Sequence, residues 1–153
     1  MIVGDPLFFA LQFDVVDSWN SSDGFWKNGV FSLYINGERV FGVLDVFELR
    51  TILSFYSKMP VDDLRVNDLV VSGKDIYENA DSYFLGDGTV LMDGVLDLTC
   101  TPMGDSGCYL YFVRMRARDR LVWSVDGGIN ISEFFLEAGF MSKFLKSLNA
   151  CSL

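Results

Sequence analysis

The chain has 153 residues, of which 50% are hydrophobic and 22% are charged, and its formal net charge is −9 with no histidine. This length and apolar content predict one compact domain over residues 1–153. The lack of histidine excludes Ser-His-Asp and Cys-His catalytic arrangements and every zinc site that needs a histidine ligand. An acidic chain is repelled by nucleic acid and by anionic membranes, so neither is expected as a partner.

The N-terminal residues and the cysteines indicate the compartment. Residues 1–6 lack the basic start and the apolar run of a secretory signal. No apolar stretch reaches the roughly 20 residues that a membrane span needs. Cys100, Cys108 and Cys151 are an odd number of cysteines without a framework spacing, which favours reduced thiols. We therefore expect a cytoplasmic protein that has no metal site and no cofactor.

The first predicted element is a strand over residues 8–16, because apolar side chains recur there at every second position. Residues 17–24 follow as a loop rich in turn-forming residues. Trp19 and Trp26 lie in and beside this loop. Large aromatic residues in a domain of this size more often close the edge of a core than bind a partner. We predict that role for both tryptophans, with an interface anchor as the alternative.

A β-hairpin is predicted around Asn36-Gly37, because this dipeptide favours the type I′ turn, whose two central residues need a positive φ. A two-residue turn fixes the register of the flanking strands. It places Tyr34 opposite Arg39 and Leu33 opposite Val40.

A helix is predicted directly after the hairpin. Asp45 and Glu48 have the spacing of a capping box, and apolar residues follow at helical intervals as far as Tyr56. Leu44 is placed to pack on Leu49 as a hydrophobic staple. The apolar side of this helix is expected to rest on the hairpin sheet.

Residues 62–105 carry most of the negative charge, with ten acidic and two basic side chains. Over residues 62–94 the apolar pattern has no clear period, apart from a short predicted helix over residues 75–84. We predict a partner-binding surface in this segment, and the alternative is a solvated region that keeps the chain soluble. The candidate contact residues are Asp75, Glu78, Asp81, Asp87 and Asp93.

The last third predicts strands on either side of a turn at residues 101–107. A second turn is predicted at Arg118-Asp119-Arg120, because pairing Ala117 with Leu121 places all apolar side chains of this hairpin on one face. The basic strip Arg114, Arg116, Arg118 and Arg120 has a nucleic-acid alternative. In a chain of net charge −9, pairing with the protein's own acids or with an acidic edge of a partner is favoured.

A second amphipathic helix is predicted at the C-terminal end. Asn130 and Glu133 repeat the capping spacing, Ile129 is placed to staple onto Phe134, and an apolar stripe continues to Leu148. The predicted fold is therefore α+β, a largely antiparallel sheet of five to six strands with two amphipathic helices packed on it.

No motif in the sequence points to an enzyme. Asp87, Asp93 and Asp97 lack the spacing of a calcium loop, and Gly86-Asp87-Gly88 lacks the rest of a phosphate-binding loop. Acidic residues are so frequent that pairs able to act in glycoside hydrolysis arise by chance. We predict a binding protein without catalytic residues.

The N-terminal third resembles a known family. Met1–Asp5 leads into the strand Phe8–Asp14, Gly29–Ile35 precedes Asn36-Gly37-Glu38, and Asp45 precedes the helix around Leu49–Leu53. Together these segments are similar to the Imm42 group among the immunity proteins of contact-dependent growth inhibition, over about residues 1–56. The resemblance implies a small cytoplasmic protein that binds and blocks the C-terminal toxin domain of a delivered effector.

The charge and the resemblance lead to one hypothesis. An acidic surface steers onto a cationic toxin, such as a nuclease, and occludes its active site or an exosite. One alternative is an acidic adaptor or chaperone-like binding protein for another basic protein, and a second is a small carboxylate-dependent hydrolase. A homodimer stays open because the second face of the hairpin is partly apolar.

Overall fold

The computed structural model describes residues 1–68, 70–86 and 88–153, and within these ranges it contains two antiparallel sheets and four α-helices. The α+β class and the antiparallel pairing are confirmed. The strands are divided between two sheets instead of forming one. Residues 1–59 with 143–153 make one compact unit, and residues 60–142 make another.

The first unit is built on a five-stranded sheet. Its strands are β1 (Ile2–Asp5), β2 (Phe9–Val15), β3 (Asn28–Ile35), β4 (Glu38–Phe41) and β5 (Phe47–Glu48). Their order is β1-β2-β3-β4, and β5 pairs with the beginning of β3. The predicted first strand is confirmed by β2. Phe9, Leu11 and Phe13 alternate along it and are buried, as expected of a strand with one face on a core.

The predicted turn between β3 and β4 is confirmed. Asn36 and Gly37 have φ values of 53° and 79°, the positive values that a type I′ turn requires. Tyr34 lies opposite Arg39 as predicted.

The predicted pairing of Leu33 with Val40 is wrong. A β-bulge shifts the register between Leu33 and Tyr34, so that Leu33 lies opposite Phe41. The extra residue turns Phe41 into the core, where its ring lies 5.7 Å from that of Phe31. The bulge therefore recovers an apolar side chain that a regular hairpin would leave on the other face.

The helix α1 (Leu49–Ser57) packs its apolar side on this sheet. Leu49, Ile52 and Tyr56 are buried, and the ring of Tyr56 lies 6.1 Å from that of Phe31. Each such side chain contributes about 1.5–3 kcal/mol through removal from water. Residues 143–149 of α4 (Phe140–Asn149) also belong to this unit, and the ring of Phe144 lies 4.9 Å from that of Phe9.

The predicted start of α1 at Asp45 is wrong. The N-cap is Glu48, whose carboxylate accepts hydrogen bonds from the backbone N–H groups of Arg50 and Thr51. Residues 47–48 pair with β3 as β5, so helical geometry begins only after this short ladder. Leu44 is 87% exposed and provides no staple.

The second unit contains a four-stranded antiparallel sheet. Its strands follow the order β6 (Val95–Asp97), β7 (Tyr109–Val113), β8 (Arg118–Ser124) and β9 (Ser132–Glu137). A short helix, α3 (Thr101–Asp105), occupies the predicted turn after β6. The predicted helix over residues 75–84 is confirmed by α2 (Gly73–Phe84), which begins two residues earlier. The hydrophobic core cluster of this second unit consists of Ile76, Tyr77, Ala80, Val95, Tyr111, Val113 and Val122.

The predicted turn at Arg118-Asp119-Arg120 is wrong, because these residues begin β8. Val113 pairs with Arg120, so the register that joins Ala117 to Leu121 does not form. Both faces of β7 and β8 carry buried side chains, so the rule that places all apolar residues on one face does not apply. Asp119 and Arg120 are buried with hydrogen-bond partners, which allows polar residues inside a central strand.

The predicted helix start at Asn130 is also wrong. Residues 132–137 form β9, and Phe134 pairs with Leu121 of β8. Asn130 donates its backbone N–H to the carboxylate of Asp126 instead of capping a helix. Helix α4 begins at Phe140, after Gly139 with a φ of +79°. Pairing with β8 satisfies the backbone of this segment in a way that local capping signals do not reveal.

Candidate partner-binding surfaces

Three of the predicted contact residues share one side of α2. Asp75, Glu78 and Asp81 follow one another at intervals of three residues, which places them along one flank of a helix. Asp75 and Glu78 are exposed and Asp81 is half-buried, whereas Ile76 and Ala80 lie in the core. We call Asp75, Glu78 and Asp81 the acidic helix face.

Each carboxylate of the acidic helix face also has a contact within its own unit. Asp75 accepts a hydrogen bond of 2.7 Å from the N-cap hydroxyl of α2. Glu78 lies 3.6 Å from the ammonium group of Lys74. Asp81 accepts a hydrogen bond of 3.3 Å from the hydroxyl of Tyr111. The partners of Asp75 and Asp81 are neutral hydroxyl groups, while Lys74 offsets part of the field of Glu78.

The other two predicted residues follow the helix. Asp87 lies outside the described residues. Asp93 is exposed, and its backbone carbonyl accepts a hydrogen bond of 2.8 Å from the side-chain amide of Asn67. Asn79 of α2 hydrogen-bonds the backbone of residues 90 and 92, each at 2.9 Å. The segment that leads to Asp93 is therefore held against the helix.

The arginine strip has its contacts within the protein. Arg116 lies 2.9 Å from the carboxylate of Asp68, and Arg120 is paired with Glu133. These two arginines confirm the predicted pairing with the protein's own acids. The other two differ, since the guanidinium of Arg114 donates to backbone carbonyls and that of Arg118 lies 3.9 Å from the ring centre of Phe135.

The sequence did not predict an exposed aromatic surface on residues 17–27, which we call the aromatic loop. The prediction that Trp19 and Trp26 close the edge of a core is wrong, since both are exposed. The side chain of Phe25 is 68% exposed and that of Trp26 is 53% exposed. Their rings meet edge to face with centres 4.9 Å apart, so two large apolar side chains stand together in water.

An open groove of about 350 Å³ lies beside these rings. It is lined by Phe25, Trp26, Glu48, Arg50, Thr51 and Ser54. The guanidinium of Arg50 donates to the backbone carbonyls of Gly24 and Phe25, at 3.1 and 2.9 Å. The first turn of α1 therefore forms one wall of the groove and fixes the aromatic loop that forms the other.

Two carboxylates at the aromatic loop, Asp23 and Glu48, have lowered pKa values. The pKa of Asp23 is lowered by hydrogen bonds from the hydroxyl of Ser21 and the N–H of Phe25. Partial burial acts to raise the pKa of Glu48, but hydrogen bonds from the hydroxyl and N–H of Thr51 lower it more, so the net shift is downward. The guanidinium of Arg50 lines the same groove and offsets part of the negative charge of these two carboxylates.

A second cavity, of about 200 Å³, lies in the unit formed by residues 60–142. Its lining includes Arg114, Asp119 and Gly139, and the N–H of Gly139 donates to the carboxylate of Asp119 at 3.1 Å. Burial raises the pKa of Asp119, although this hydrogen bond acts in the opposite direction. Ser142 also lines the cavity, and its hydroxyl donates to the carboxylate of Asp62, while the guanidinium of Arg114 donates to backbone carbonyls of residues 62 and 64.

Metal centres and membrane spans are two other kinds of site. In residues 1–68, 70–86 and 88–153, no group of three or more cysteine, aspartate or glutamate side chains could hold a metal ion. Across the same ranges, no helix has the length and apolar content to cross a membrane.

One sequence signal could have indicated the aromatic loop. Adjacent residues of a strand point to opposite faces, so Phe25 and Trp26 cannot both face a core that covers one side of a sheet. The turn-forming residues before them favour a loop in any case. A neighbouring aromatic pair at the edge of such a loop therefore predicts at least one exposed ring.

Comparisons with known proteins give one family and one solved structure. The sequence profile of the family described as Immunity protein 42 matches residues 1–150. The fold is similar to the crystal structure of CdiI from Burkholderia dolosa AUO158, with a TM-score of 0.78 and 22% sequence identity, over 99% of this chain and 100% of that chain. At this identity the likeness concerns the fold. No curated protein matches the chain.

Proposed function

Because the chain belongs to the immunity protein 42 family, we propose that it binds the C-terminal toxin domain of a contact-dependent growth inhibition effector and thereby protects the cell that makes it. The match of the family profile over residues 1–150 carries this proposal. Binding alone accounts for protection, so the chain acts as an inhibitor and not as an enzyme. Residues 1–153 work as one immunity-protein domain in the cytoplasm.

The charge of the chain supports a cationic toxin. The formal net charge is −9, and residues 62–105 hold ten acidic and two basic side chains. Such a surface accelerates encounter with a positively charged partner and disfavours nucleic acid and anionic membranes. A nuclease fits this description because its active site must attract a polyanion. The immunity protein then occludes that active site or an exosite beside it.

The acidic helix face, together with Asp87 and Asp93, is the proposed contact for the basic surface of the toxin. The exposure of Asp75 and Glu78 and the position of Asp81 on the same flank of α2 support this assignment. Carboxylates at the rim of an interface contribute mainly to the association rate and to its salt dependence. We therefore assign these residues to steering and orientation.

Co-expression with the neighbouring toxin gene tests the proposal. Cells that express the toxin domain alone should stop growing, and cells that also express this chain should grow. The two proteins should co-purify as a complex. A toxin domain from an unrelated effector is the control, and this chain should neither rescue growth nor co-purify with it.

The result that would contradict the proposal is equally direct. If the chain rescues no growth and forms no complex with the toxin encoded beside it, it is not the immunity protein of that toxin. Rescue without a complex would instead indicate a chemical modification of the toxin, its substrate or its product. That outcome would favour an enzyme over an inhibitor.

A further inference from the structure

We infer that the aromatic loop, residues 17–27, is a second contact surface for the toxin, on which Phe25 and Trp26 enter an apolar recess bordered by basic side chains. This inference rests on the proposed function and assigns part of its interface. It concerns the unit formed by residues 1–59 and 143–153, whereas the acidic helix face lies in the other unit. The two surfaces can therefore be tested separately.

The aromatic loop exposes several large apolar side chains. Phe25 and Trp26 leave most of their side-chain surface in water, and Trp19 on the same loop is also exposed. Val46 directly precedes β5, which pairs with the beginning of β3, and Val46 is exposed at that same end of the sheet. Several large apolar side chains in one region of a surface mark interaction sites more often than scattered single ones do. Tryptophan is among the residues that dominate binding energy at protein interfaces.

The backbone of the aromatic loop is fixed at its two ends by hydrogen bonds. The side-chain amide of Asn20 donates to the carbonyls of Val16 and Asn28, at 2.8 and 2.9 Å, and its oxygen accepts from the N–H of Asn28. The side chain of Asn28 in turn donates to the carbonyl of Trp19 at 3.0 Å. Three of these hydrogen bonds join the two ends of the loop, and the fourth, from Asn20 to Val16, lies within its first end.

The tip of the aromatic loop is fixed as well. Arg50 donates to the carbonyls of Gly24 and Phe25, and Asp23 accepts the N–H of Phe25 at 3.0 Å. These contacts fix the backbone at Gly24 and Phe25, and the rings of Phe25 and Trp26 rest against each other. A segment whose backbone is already ordered loses less entropy on association, which favours a role in binding.

Charge decides between the toxin and a second copy of the chain. Asp17 and Asp23 on the loop and Asp45 before β5 are exposed carboxylates, and Asp23 and Glu48 have lowered pKa values. A partner with lysine or arginine around an apolar recess matches this rim. A second copy brings another net charge of −9 against it. The geometry and charge therefore point to a basic protein, which the toxin proposed above supplies.

A double variant with a matched control tests the surface. Phe25→Ser with Trp26→Ser removes both rings, and we expect the equilibrium dissociation constant for the cognate toxin domain to rise by more than about 30-fold. The control is Val125→Ser with Ile129→Ser, which removes two exposed apolar side chains of the other unit, outside the acidic segment 62–105. It should change the dissociation constant by less than about threefold. Thermal unfolding of both variants verifies that they fold.

A spectroscopic measurement on the intact sequence complements the variants. The chain is labelled with 5-fluorotryptophan, and the three fluorine signals are assigned with single Trp→Phe variants. Trp19 and Trp26 are exposed and Trp123 is buried. Unlabelled toxin should shift the Trp26 signal and leave that of Trp123 in place.

The outcomes separate this inference from the proposed function. If the wild-type chain binds its toxin and the double variant binds equally well, the aromatic loop is not a contact and the proposed function stands. An unchanged Trp26 signal in the complex overturns the inference in the same way. If the free wild-type chain is a dimer that the double variant dissociates, the loop binds a second copy, which also overturns it. A wild-type chain that binds no toxin overturns both.

Discussion

Arg120 places a permanent charge inside the second unit. Its side chain is 6% exposed, its Nε donates to the carboxylate of Glu133 at 2.8 Å, and its Nη1 donates to the carbonyl of Val71 at 3.0 Å. The carbonyl of Val71 precedes α2, so one guanidinium connects β8, β9 and the approach to that helix. A buried charge of this kind is tolerated because its donors are paired.

Removing this guanidinium should destabilise the protein. Arg120→Ala leaves the carboxylate of Glu133 and the carbonyl of Val71 without their donor, and we expect a loss of about 2–3 kcal/mol in the free energy of unfolding. Urea unfolding measures it. The control is Arg116→Ala, which breaks the exposed pair with Asp68 and should cost less than about 1 kcal/mol. Equal losses for the two variants would contradict the structural role of Arg120.

Asp126 predicts a pH dependence of stability. Hydrogen bonds from the N–H of Asn130 and the hydroxyl of Ser124 lower the pKa of Asp126 from 3.8 to about 2. Because the folded state prefers the ionised form, this contribution is present above pH 3.8 and is lost as the pH falls towards 2. The wild-type chain should therefore exceed Asp126→Asn in thermal unfolding midpoint at about pH 5, and the difference should shrink towards about pH 2. A difference that stays constant over this range would contradict the assignment.

At the scale of elements, the cap of α1 is a sharp test of the structure against the sequence pattern. Glu48 accepts the N–H groups of Arg50 and Thr51, whereas the carboxylate of Asp45 accepts the N–H of Val46. We expect Glu48→Ala to lower the free energy of unfolding by about 1 kcal/mol, the usual value of an N-cap. Asp45→Ala should change it by less than about 0.5 kcal/mol. Denaturant unfolding of both variants decides, and the reverse order would place the cap at Asp45.

The elements that the sequence predicts correctly are those with a strong local signal. The turn at Asn36-Gly37 needs only two positive φ values, and the helix over residues 75–84 needs only a cap and an apolar side. The segment 132–137 combines a capping spacing with apolar residues that also suit a strand. This segment forms β9 because it hydrogen-bonds to β8, and the local sequence pattern gives no indication of that pairing.

Of the two candidate surfaces, the acidic helix face could be predicted from the sequence and the aromatic loop could not. The acidic helix face follows from composition and helical spacing, both of which the sequence displays directly. The aromatic loop does not, because its conformation depends on a guanidinium that is 25 residues from Phe25 in the chain. Exposure of an aromatic residue is a tertiary property, and the general tendency of aromatic side chains to be buried predicts the opposite.

At the scale of the whole molecule, charge distribution and not total charge distinguishes the proposed interface from ordinary acidity. The net charge of −9 produces long-range attraction for any basic protein. Only carboxylates close to the contact are expected to affect the affinity strongly, because charges beyond about 8 Å are screened at physiological salt. Variants that remove equal charge from different places therefore separate a local contact from general electrostatic attraction.

Removing charge from the acidic helix face, compared with removing equal charge elsewhere, makes this distinction. Replacing Asp75, Glu78 and Asp81 by Asn should weaken binding to the cognate toxin by about tenfold at low salt and flatten the decrease of affinity with ionic strength. The control removes the same charge from three other exposed acids outside residues 62–105, Asp5→Asn, Glu38→Gln and Glu137→Gln. It should keep most of the affinity and of the salt dependence. Titrations at three ionic strengths measure both quantities.

Unchanged affinity of the Asp75, Glu78 and Asp81 variant at low salt would remove the acidic helix face from the interface. Equal losses of affinity in this variant and in the control would show that only total charge matters.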